Sequence, residues 1–434
     1  MLWLYRLIFL PTALLAAPYY LLRMRRRGGY AAHFGQRFGA VPPLPARRAG
    51  VKRIWLQAVS VGELLAIAPL LEGWGREGNV EVYLTTTTST GYALAAQRYE
   101  GRGAVIGLGY FPLDCWLSSR RTWRAVEPDL VILTEGERWP EHLAQATERG
   151  VPVAAVNARL SDRSLRRMSR LGPLARLLTG GLTRVLAASA ADAERFAHFG
   201  VAAERITVTG NLKLDVELAP VDEAEQGRLR AELGLGGARV LLGASTWPGE
   251  EAALLSAWRR LRGTPKGAGA KLLLVPRHAE RRGEIEALLT AEGVRYHLRS
   301  RGVAASSDGI DVAVADTTGE LQRLLVLAEV VFVGKTLPPH TEGQTPVEAA
   351  AREKAVLFGP GTANFRVIAK ELIAAGAARR VADGEELGVA VGELWADSAA
   401  RAELGAAARR WHEGNRGATA RTQFILAKLL SARI

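Results

Sequence analysis

The sequence predicts an α/β protein of two similar-sized, doubly wound halves facing a cleft. Three observations carry that prediction. From residue 51 onward, short β-branched or apolar runs alternate with helical stretches, the pattern of parallel strands joined by crossover helices. The alternation pauses at 214–224 (LDVELAPVDEA), which lacks a clear period and holds Pro220, and then resumes. The length of 434 residues suits two domains of about 100–200 residues each.

The elements follow in order. Residues 1–22 (MLWLYRLIFLPTALLAAPYYLL) carry one charge, Arg6, and lead into Arg23, Arg25, Arg26 and Arg27. A full crossing needs about 20 apolar residues, and Arg6, Pro11 and Pro18 interrupt this run. The main charge cluster comes after the apolar run, which argues against a cleaved secretion signal. Segment 1–27 is therefore expected to be an uncleaved anchor or interfacial helix, its arginines beside anionic lipid on the cytoplasmic side. A buried first helix of an ordinary domain is the competing reading. Strands are expected at 53–59, 80–85, 129–134, 151–156, 183–188 and 205–209, and helices at 62–74, 91–99 and 138–149. Beyond the linker, strands are expected at 239–244, 271–275, 310–314, 329–333 and 355–358, a loop at 263–270, and helices from 386 to 434. The domains implied are 1–27, 28–215 and 216–434.

Composition narrows the function classes. With 48% hydrophobic and 23% charged residues the chain can bury a core. A single cysteine, Cys115, excludes a disulfide framework and a cysteine-built zinc cage. Seven histidines, none closely spaced, argue against a histidine metal site. The net charge of +13 is lopsided: residues 1–215 hold 28 Lys+Arg against 17 Asp+Glu, and residues 216–434 hold 29 against 27. The first half is expected to meet a polyanion, whether nucleic acid, anionic lipid or a phosphorylated substrate.

Polar clusters fall just after predicted strands, where doubly wound sheets place their functional loops. In the first half these are SVGE (60–63), TTTTSTG (85–91) and TEGERWP (134–140), whose hydroxyls and carboxylates suit sugar or phosphate oxygens. Glu135 and Glu137, two apart on extended chain, would point the same way. In the second half GASTWPGEE (243–251) offers Ser245 and Thr246, and VPRHAER (275–281) offers Arg277 and His278 for a nucleotide phosphate. VGKTLPPHTEGQTPVEAA (333–350) runs from a strand through Lys335 and Thr336 to a Gly343-Gln344-Thr345-Pro346 turn and Glu348, a glutamate able to take a ribose diol. Each cluster alone is as readily an N-cap or turn. Neither a Walker loop nor a Gly-x-Gly-x-x-Gly after the first strand is present.

Taken together these residues resemble the bacterial 3-deoxy-D-manno-octulosonic acid (Kdo) transferases. The likeness runs through AVSVGE (58–63), LTTTTSTG (84–91), PLDC (112–115), WP (139–140) and VNARLSDRS (156–164). It continues through ITVTGNLKLD (206–215), GAST (243–246), LLLVPRH (272–278), DTTGEL (316–321) and LFGPGTANF (357–365). The resemblance implies a two-domain GT-B fold and an inverting transferase that moves Kdo from CMP-Kdo to lipid A precursor. It implies no cofactor or metal in the transfer step, a place on the cytoplasmic face of the inner membrane, and no nucleic-acid partner. Donor contacts would come from Ser245, Thr246, Arg277, His278, Gly334, Lys335, Thr336, Gly343, Gln344, Thr345, Glu348, Gly359 and Asn364, with Asn211 and Lys213 at the interdomain edge. Acceptor contacts would come from Arg37, Ser60, Gly62, Thr87 and Thr88.

The family's Gly-Glu-Arg-aromatic-Gly motif, whose glutamate is taken as general base, reads GQRFG here at 35–39, so Gln36 holds that place. A carboxamide cannot act as a general base near neutral pH. Glu63 is the first substitute expected, then Glu135 and Glu137; a helix-start charge is the competing role for Glu63. The family's Gly-Gly-Ser is GKT (334–336), its Gly-His-Asn-Pro-Leu-Glu is GQTPVE (343–348), and the histidine after Ser-Thr is Trp247. Three readings stay open: an active transferase of Kdo or another acidic sugar, a non-catalytic binder of a lipid A-like acceptor, and an unrelated two-domain enzyme such as a nucleotide-sugar epimerase.

Overall fold

The computed structural model of the chain describes residues 1–27, 32–170, 172–216 and 218–431. They divide into two units, Met1–Asp215 with Arg416–Ile434, and Val216–Asn415.

The first unit holds β1 (Lys52–Gln57), β2 (Val80–Thr86), β3 (Val105–Tyr110), β4 (Leu130–Thr134), β5 (Val153–Ala158), β6 (Arg184–Ala187) and β7 (Ile206–Val208). Their order is β3-β2-β1-β4-β5-β6-β7 and every pairing is parallel. Side chains alternate across the sheet: Ile54 and Leu56 enter one buried cluster and Trp55 the other, so both faces are covered. Because β1 lies between β2 and β4, the winding reverses there, and the β1/β4 crevice is the topological switch point.

The second unit repeats the plan with β8 (Val240–Thr246), β9 (Lys271–Pro276), β10 (Tyr296–Leu298), β11 (Val312–Val314), β12 (Val330–Val333), β13 (Ala355–Phe358) and β14 (Arg379–Arg380). The order β10-β11-β9-β8-β12-β13-β14, again parallel throughout, puts its switch point between β8 and β12.

Several expectations are corrected. β3, β10 and β14 were not expected as strands. The helix expected at 62–74 is two, Val61–Ala66 and Ala68–Glu77, because Pro69 starts the second and has no N–H to continue the first. The second domain does not run to residue 434. Helices Gly384–Ala396 and Ser398–Asn415 stay with it, but helix Ala418–Ser431 returns to the first unit. There Leu426 and Leu430 join Leu64 and Leu70 in the core, and Asp215 accepts the N–H groups of Gly417 and Thr419 at 2.6 and 2.5 Å.

Helix Leu2–Arg27 likewise belongs to the first unit. Tyr5 donates its hydroxyl to Asp114 at 2.5 Å, and Arg6 donates to buried Glu141 through Nε and Nη2. Past this dock Leu14, Leu15, Tyr19, Tyr20, Leu21 and Leu22 are exposed. Among the described residues no single helix is long and apolar enough to cross a membrane; Leu2–Phe9 and Pro11–Leu22, bent by 42°, meet the length and composition together. The side chains of Arg23, Arg25, Arg26 and Arg27, and the boundary expected at residue 28, lie outside what is described.

Candidate active site

In both units most candidate residues lie in loops that follow the carboxyl ends of strands, at and beside the switch point. In the first unit Val59 carbonyl accepts the N–H groups of Thr87 and Thr88, tying the loop after β1 to the loop after β2. Arg37 donates to Thr87 carbonyl at 2.8 Å and lies 4.3 Å from the Tyr110 ring centroid. Arg37, Ser60, Gly62, Thr87 and Thr88 therefore lie at the carboxyl ends of β1 and β2.

Gln36 is buried in the short helix Phe34–Phe38, and its Oε1 accepts Tyr110 N–H at 2.9 Å. It braces the end of β3. Glu63 sits in the first turn of Val61–Ala66 as the fourth member of a Ser-x-x-Glu capping sequence. Its Oε2 accepts Val59 N–H at 3.0 Å and the Thr134 hydroxyl, and its Oε1 accepts Ser60 Oγ at 3.2 Å. Burial pushes this carboxyl up, and the hydrogen bonds from Thr134 and Val59 oppose that.

Glu135 and Glu137 do not share an extended stretch, contrary to expectation. Glu135 adopts a left-handed backbone (φ 49°), which breaks the extended alternation, and the two side chains take different partners. Glu135 pairs with Lys213 at 2.6 Å, while Glu137 accepts Trp139 Nε1–H at 2.7 Å through Oε2. Burial first, and then the neighbouring Glu63, push the Glu137 carboxyl up to about 7. Asn211 and Lys213 belong to the first unit: Asn211 caps the turn Leu212–Leu214 by accepting Lys213 N–H.

In the second unit one buried carboxylate spans the switch point. Glu250 opens helix Glu250–Arg262 and accepts four backbone N–H groups. Its Oε2 takes Trp247 at 2.9 Å and Lys335 at 2.7 Å, and its Oε1 takes Thr336 at 2.8 Å and Leu337 at 3.1 Å. The sequence reading missed it, because a first-turn glutamate reads as a partner of the helix dipole; three of the four partners lie 85–87 residues on.

Around this brace Ser245 and Lys335 both take left-handed backbone, φ 53° and 61°. Lys335 Nζ lies 4.1 Å from the Trp247 ring centroid, and His278 meets that ring edge-on at 5.2 Å. Gly343 N–H donates to Lys335 carbonyl and Gln344 N–H to Gly334 carbonyl, at 2.9 and 3.0 Å, folding the glycine turn back on the strand end. Asn364 Nδ2 donates to Gly343 carbonyl at 3.3 Å, and Gly359 N–H to Thr336 Oγ1 at 2.8 Å. Thr246 and Thr336 are fully buried, whereas Thr345, Arg277 and His278 are exposed. Arg277 forms no ion pair among the described residues. Glu348 accepts Gln322 Nε2–H at 2.8 Å through Oε1. Among the described residues no group of three or more His, Cys, Asp or Glu is placed to hold a metal ion.

Residues 32–216 match the family described as 3-deoxy-D-manno-octulosonic-acid transferase (kdotransferase). The 3-deoxy-D-manno-octulosonic acid transferase of Bordetella pertussis is 38% identical over 414 residues, 92% of each chain. Its namesake in Haemophilus influenzae is 28% identical over 430 residues, 99% of this chain and 96% of the other. Among solved structures, a UDP-GlcNAc 2-epimerase from Neisseria meningitidis bound to UDP-GlcNAc superposes with a TM-score of 0.55 over 88% of this chain and 100% of the other. At 14% identity that likeness is one of fold alone.

Proposed function

The chain belongs to the 3-deoxy-D-manno-octulosonic-acid transferase family, a family of glycosyltransferases, and from that premise we propose that it transfers Kdo from CMP-Kdo to a lipid A precursor with Glu137 as general base. The transfer rests on family membership. The observation that carries the choice of base is the Glu137 carboxyl just past the end of β4, with only one oxygen hydrogen-bonded, to Trp139, among the described residues. Burial pushes it up, to about 7. A base works best when its pKa lies near the working pH. Gln36 has no basic atom, and both oxygens of Glu63 are occupied by Val59, Ser60 and the Thr134 hydroxyl. Glu137 has one oxygen engaged by Trp139, and the other takes no hydrogen bond among the described residues.

In the proposed step the acceptor hydroxyl gives its proton to Glu137 as its oxygen attacks the anomeric carbon of Kdo. The bond from that carbon to phosphate breaks, and CMP leaves with the electron pair. Exposed Arg277, with no ion pair of its own, neutralises the departing phosphate, and Glu348 holds the ribose diol through its remaining oxygen. Nothing in the step calls for a metal or cofactor. The exposed apolar face of Leu2–Arg27 would hold the protein to the cytoplasmic face of the inner membrane, where such an acceptor is presented.

The epimerase reading gives way to family membership, and the non-catalytic reading is decided by assay. Membrane fractions given CMP-Kdo and lipid A precursor should form the Kdo-bearing lipid, and Glu137→Gln should slow that at least about a hundredfold. Transfer unaffected by Glu137→Gln would move the base elsewhere, and no transfer by the wild-type chain would leave only the binder.

A further inference from the structure

At the amino ends of β12 and β13, the opposite end of the second sheet from the candidate donor loops, lies a cavity of about 430 Å³. The two strands pair in parallel with Val330 opposite Ala355, so Glu329 and Lys354, one position before each, enter the sheet side by side. Arg230, Arg352, Glu353 and Arg401 line the cavity with them. Helix Ser398–Asn415, 18 residues long, begins on its wall, with Asp397 capping the first amides, and the positive end of its dipole adds to the field there.

Charge in this cavity does not balance. Four cations line it against two acids, and both acids are already paired. Glu329 pairs with Arg401 at 3.1 Å, and Glu353 with Arg409, which lies outside the lining, at 2.9 Å. Arg230, Arg352 and Lys354 form no ion pair among the described residues. They donate to carbonyls instead: Arg230 to Gly236 and Ala238 at 3.1 and 2.8 Å, Lys354 to Val326 at 3.0 Å, and Arg352 Nη2 to Ala219 at 2.5 Å. A carbonyl satisfies an N–H but carries no net charge, so these bonds fix the three side chains without neutralising them. Arg352 Nε is enclosed with no acceptor among the described residues, and Glu225, the acid that favours its charge, is bound to Arg323.

Burial disfavours the charge on Lys354; Arg230 and Arg352 add to that, while Glu329 and Glu353 oppose it. Lys354 is thus near enough to both arginines to feel their repulsion. Four cations against two acids leave two positive charges over. A phosphate group carries about −1.5 to −2 charge near neutral pH and several acceptor oxygens, which matches that excess and suits guanidinium donors.

We propose that this cavity is a binding site for a small phosphate anion, separate from the candidate donor loops and joined to them through β12 and β13. From Glu329 to Gly334 the chain spans roughly 16 Å at about 3.3 Å per residue, too far for one phosphate to touch both ends.

The test titrates the full-length protein, in detergent at constant ionic strength, with inorganic phosphate and with pyrophosphate in a calorimeter. Wild type should bind at least one of them with a Kd below about 1 mM, and more weakly as salt rises. The double variant Arg352→Gln/Lys354→Gln should weaken that binding at least about tenfold. Arg277→Ala, in the candidate donor site, should leave it within about twofold, since no charge at the cavity changes. Glu353→Gln, which removes an exposed acid at the rim, should tighten it about two- to threefold. A variant that gains affinity is folded, so this arm decides even where the double variant fails to fold. No binding of either anion below about 1 mM, loss in Arg277→Ala in place of the double variant, or affinity unmoved by Glu353→Gln overturns the site. Anion binding is read without donor or acceptor, so it stands or falls apart from Kdo transfer.

Discussion

Arg6 and Glu141, 135 positions apart in the chain, are joined by two hydrogen bonds of 2.7 and 2.9 Å, and Glu141 is fully buried. The N-terminal helix is thus fastened to the first unit at its start, with the Tyr5–Asp114 bond beside it. Arg6→Ala strands a buried carboxylate whose remaining side-chain partner is Gln145. Breaking a fully buried pair costs about 3–5 kcal/mol, but the Arg6 side chain is 37% exposed and screened, so roughly 1–2 kcal/mol is expected. A lower midpoint in denaturant, with faster trypsin cleavage inside residues 1–27, is the expected outcome; an unchanged midpoint would show the dock to be energetically idle.

This dock also dictates how membrane attachment is tested. Deleting 1–27 would remove Tyr5 and Arg6 and injure the fold. Replacing exposed Leu14, Leu15, Leu21 and Leu22 by Gln leaves the dock intact and removes about 1.5–3 kcal/mol of burial per side chain. Most of that variant should sediment with the soluble fraction. If it stays with membranes at low and high salt, the helix is not the anchor.

The pH dependence of transfer follows from Glu137. Its folded pKa, about 7, lies above that of a free glutamate because burial and the neighbouring Glu63 disfavour the charged form. Below pH 7 the group holds a proton and cannot accept another, so kcat should rise with pH and level off above about 7. Glu137→Gln should abolish that limb and lower kcat by about 10²–10⁴. A limb that survives in the variant assigns the titration to another group.

Glu250→Gln replaces one acceptor oxygen with a donor facing backbone N–H groups. Each buried N–H left without an acceptor costs about 1–3 kcal/mol, and two of the four depend on each oxygen. A loss of about 2–4 kcal/mol is expected, with a raised KM for the donor and little change in the KM for the acceptor. Equal effects on both substrates would point to general unfolding.

Arg277→Ala and Glu348→Ala should each weaken CMP binding to the full chain. A charge-assisted bond is worth about 1.5–3 kcal/mol, and a factor of ten is about 1.4, so roughly tenfold or more is expected for the arginine. Calorimetric titration measures it. CMP affinity untouched by both changes would place the nucleotide elsewhere.

Most strands were legible because parallel strands covered on both faces are continuous β-branched or apolar runs, as in Val330–Val333 or Leu130–Thr134. β3 was not, because it contains Gly107 and Gly109. A Cβ at Gly109 would come within 2.1 Å of the Tyr83 hydroxyl and one at Gly107 within 2.6 Å of Leu44, so residues that weaken a strand signal are demanded by what packs over it. β10 and β14, three and two residues long, have too little length for any period. At the site, the strand-end loops could be read locally. What each carboxylate does could not: the capping role of Glu63 was open in Ser-x-x-Glu, but the brace of Glu250 and the burial that tunes Glu137 arise from segments distant in sequence. Nothing local marks helix Ala418–Ser431 as a member of the first unit, since an apolar face does not name its partner.

That last helix has a consequence for how the protein is made. Leu426 and Leu430 complete a core whose other members, such as Leu64 and Leu70, are synthesised far earlier. At about 5–20 residues per second, roughly 10–40 s separate the appearance of Asp215 from that of Ala418. During that interval the nascent first unit shows an uncovered apolar face, and Asp215 lacks the two N–H groups that fix it. Ribosome-bound chains halted near residue 400 should be cut by protease within residues 52–215 more readily than chains halted well past 431. The second unit, complete in a single stretch of chain, is free to fold first, so vectorial synthesis favours the later-made half and leaves the earlier one waiting for a chaperone or for its own end.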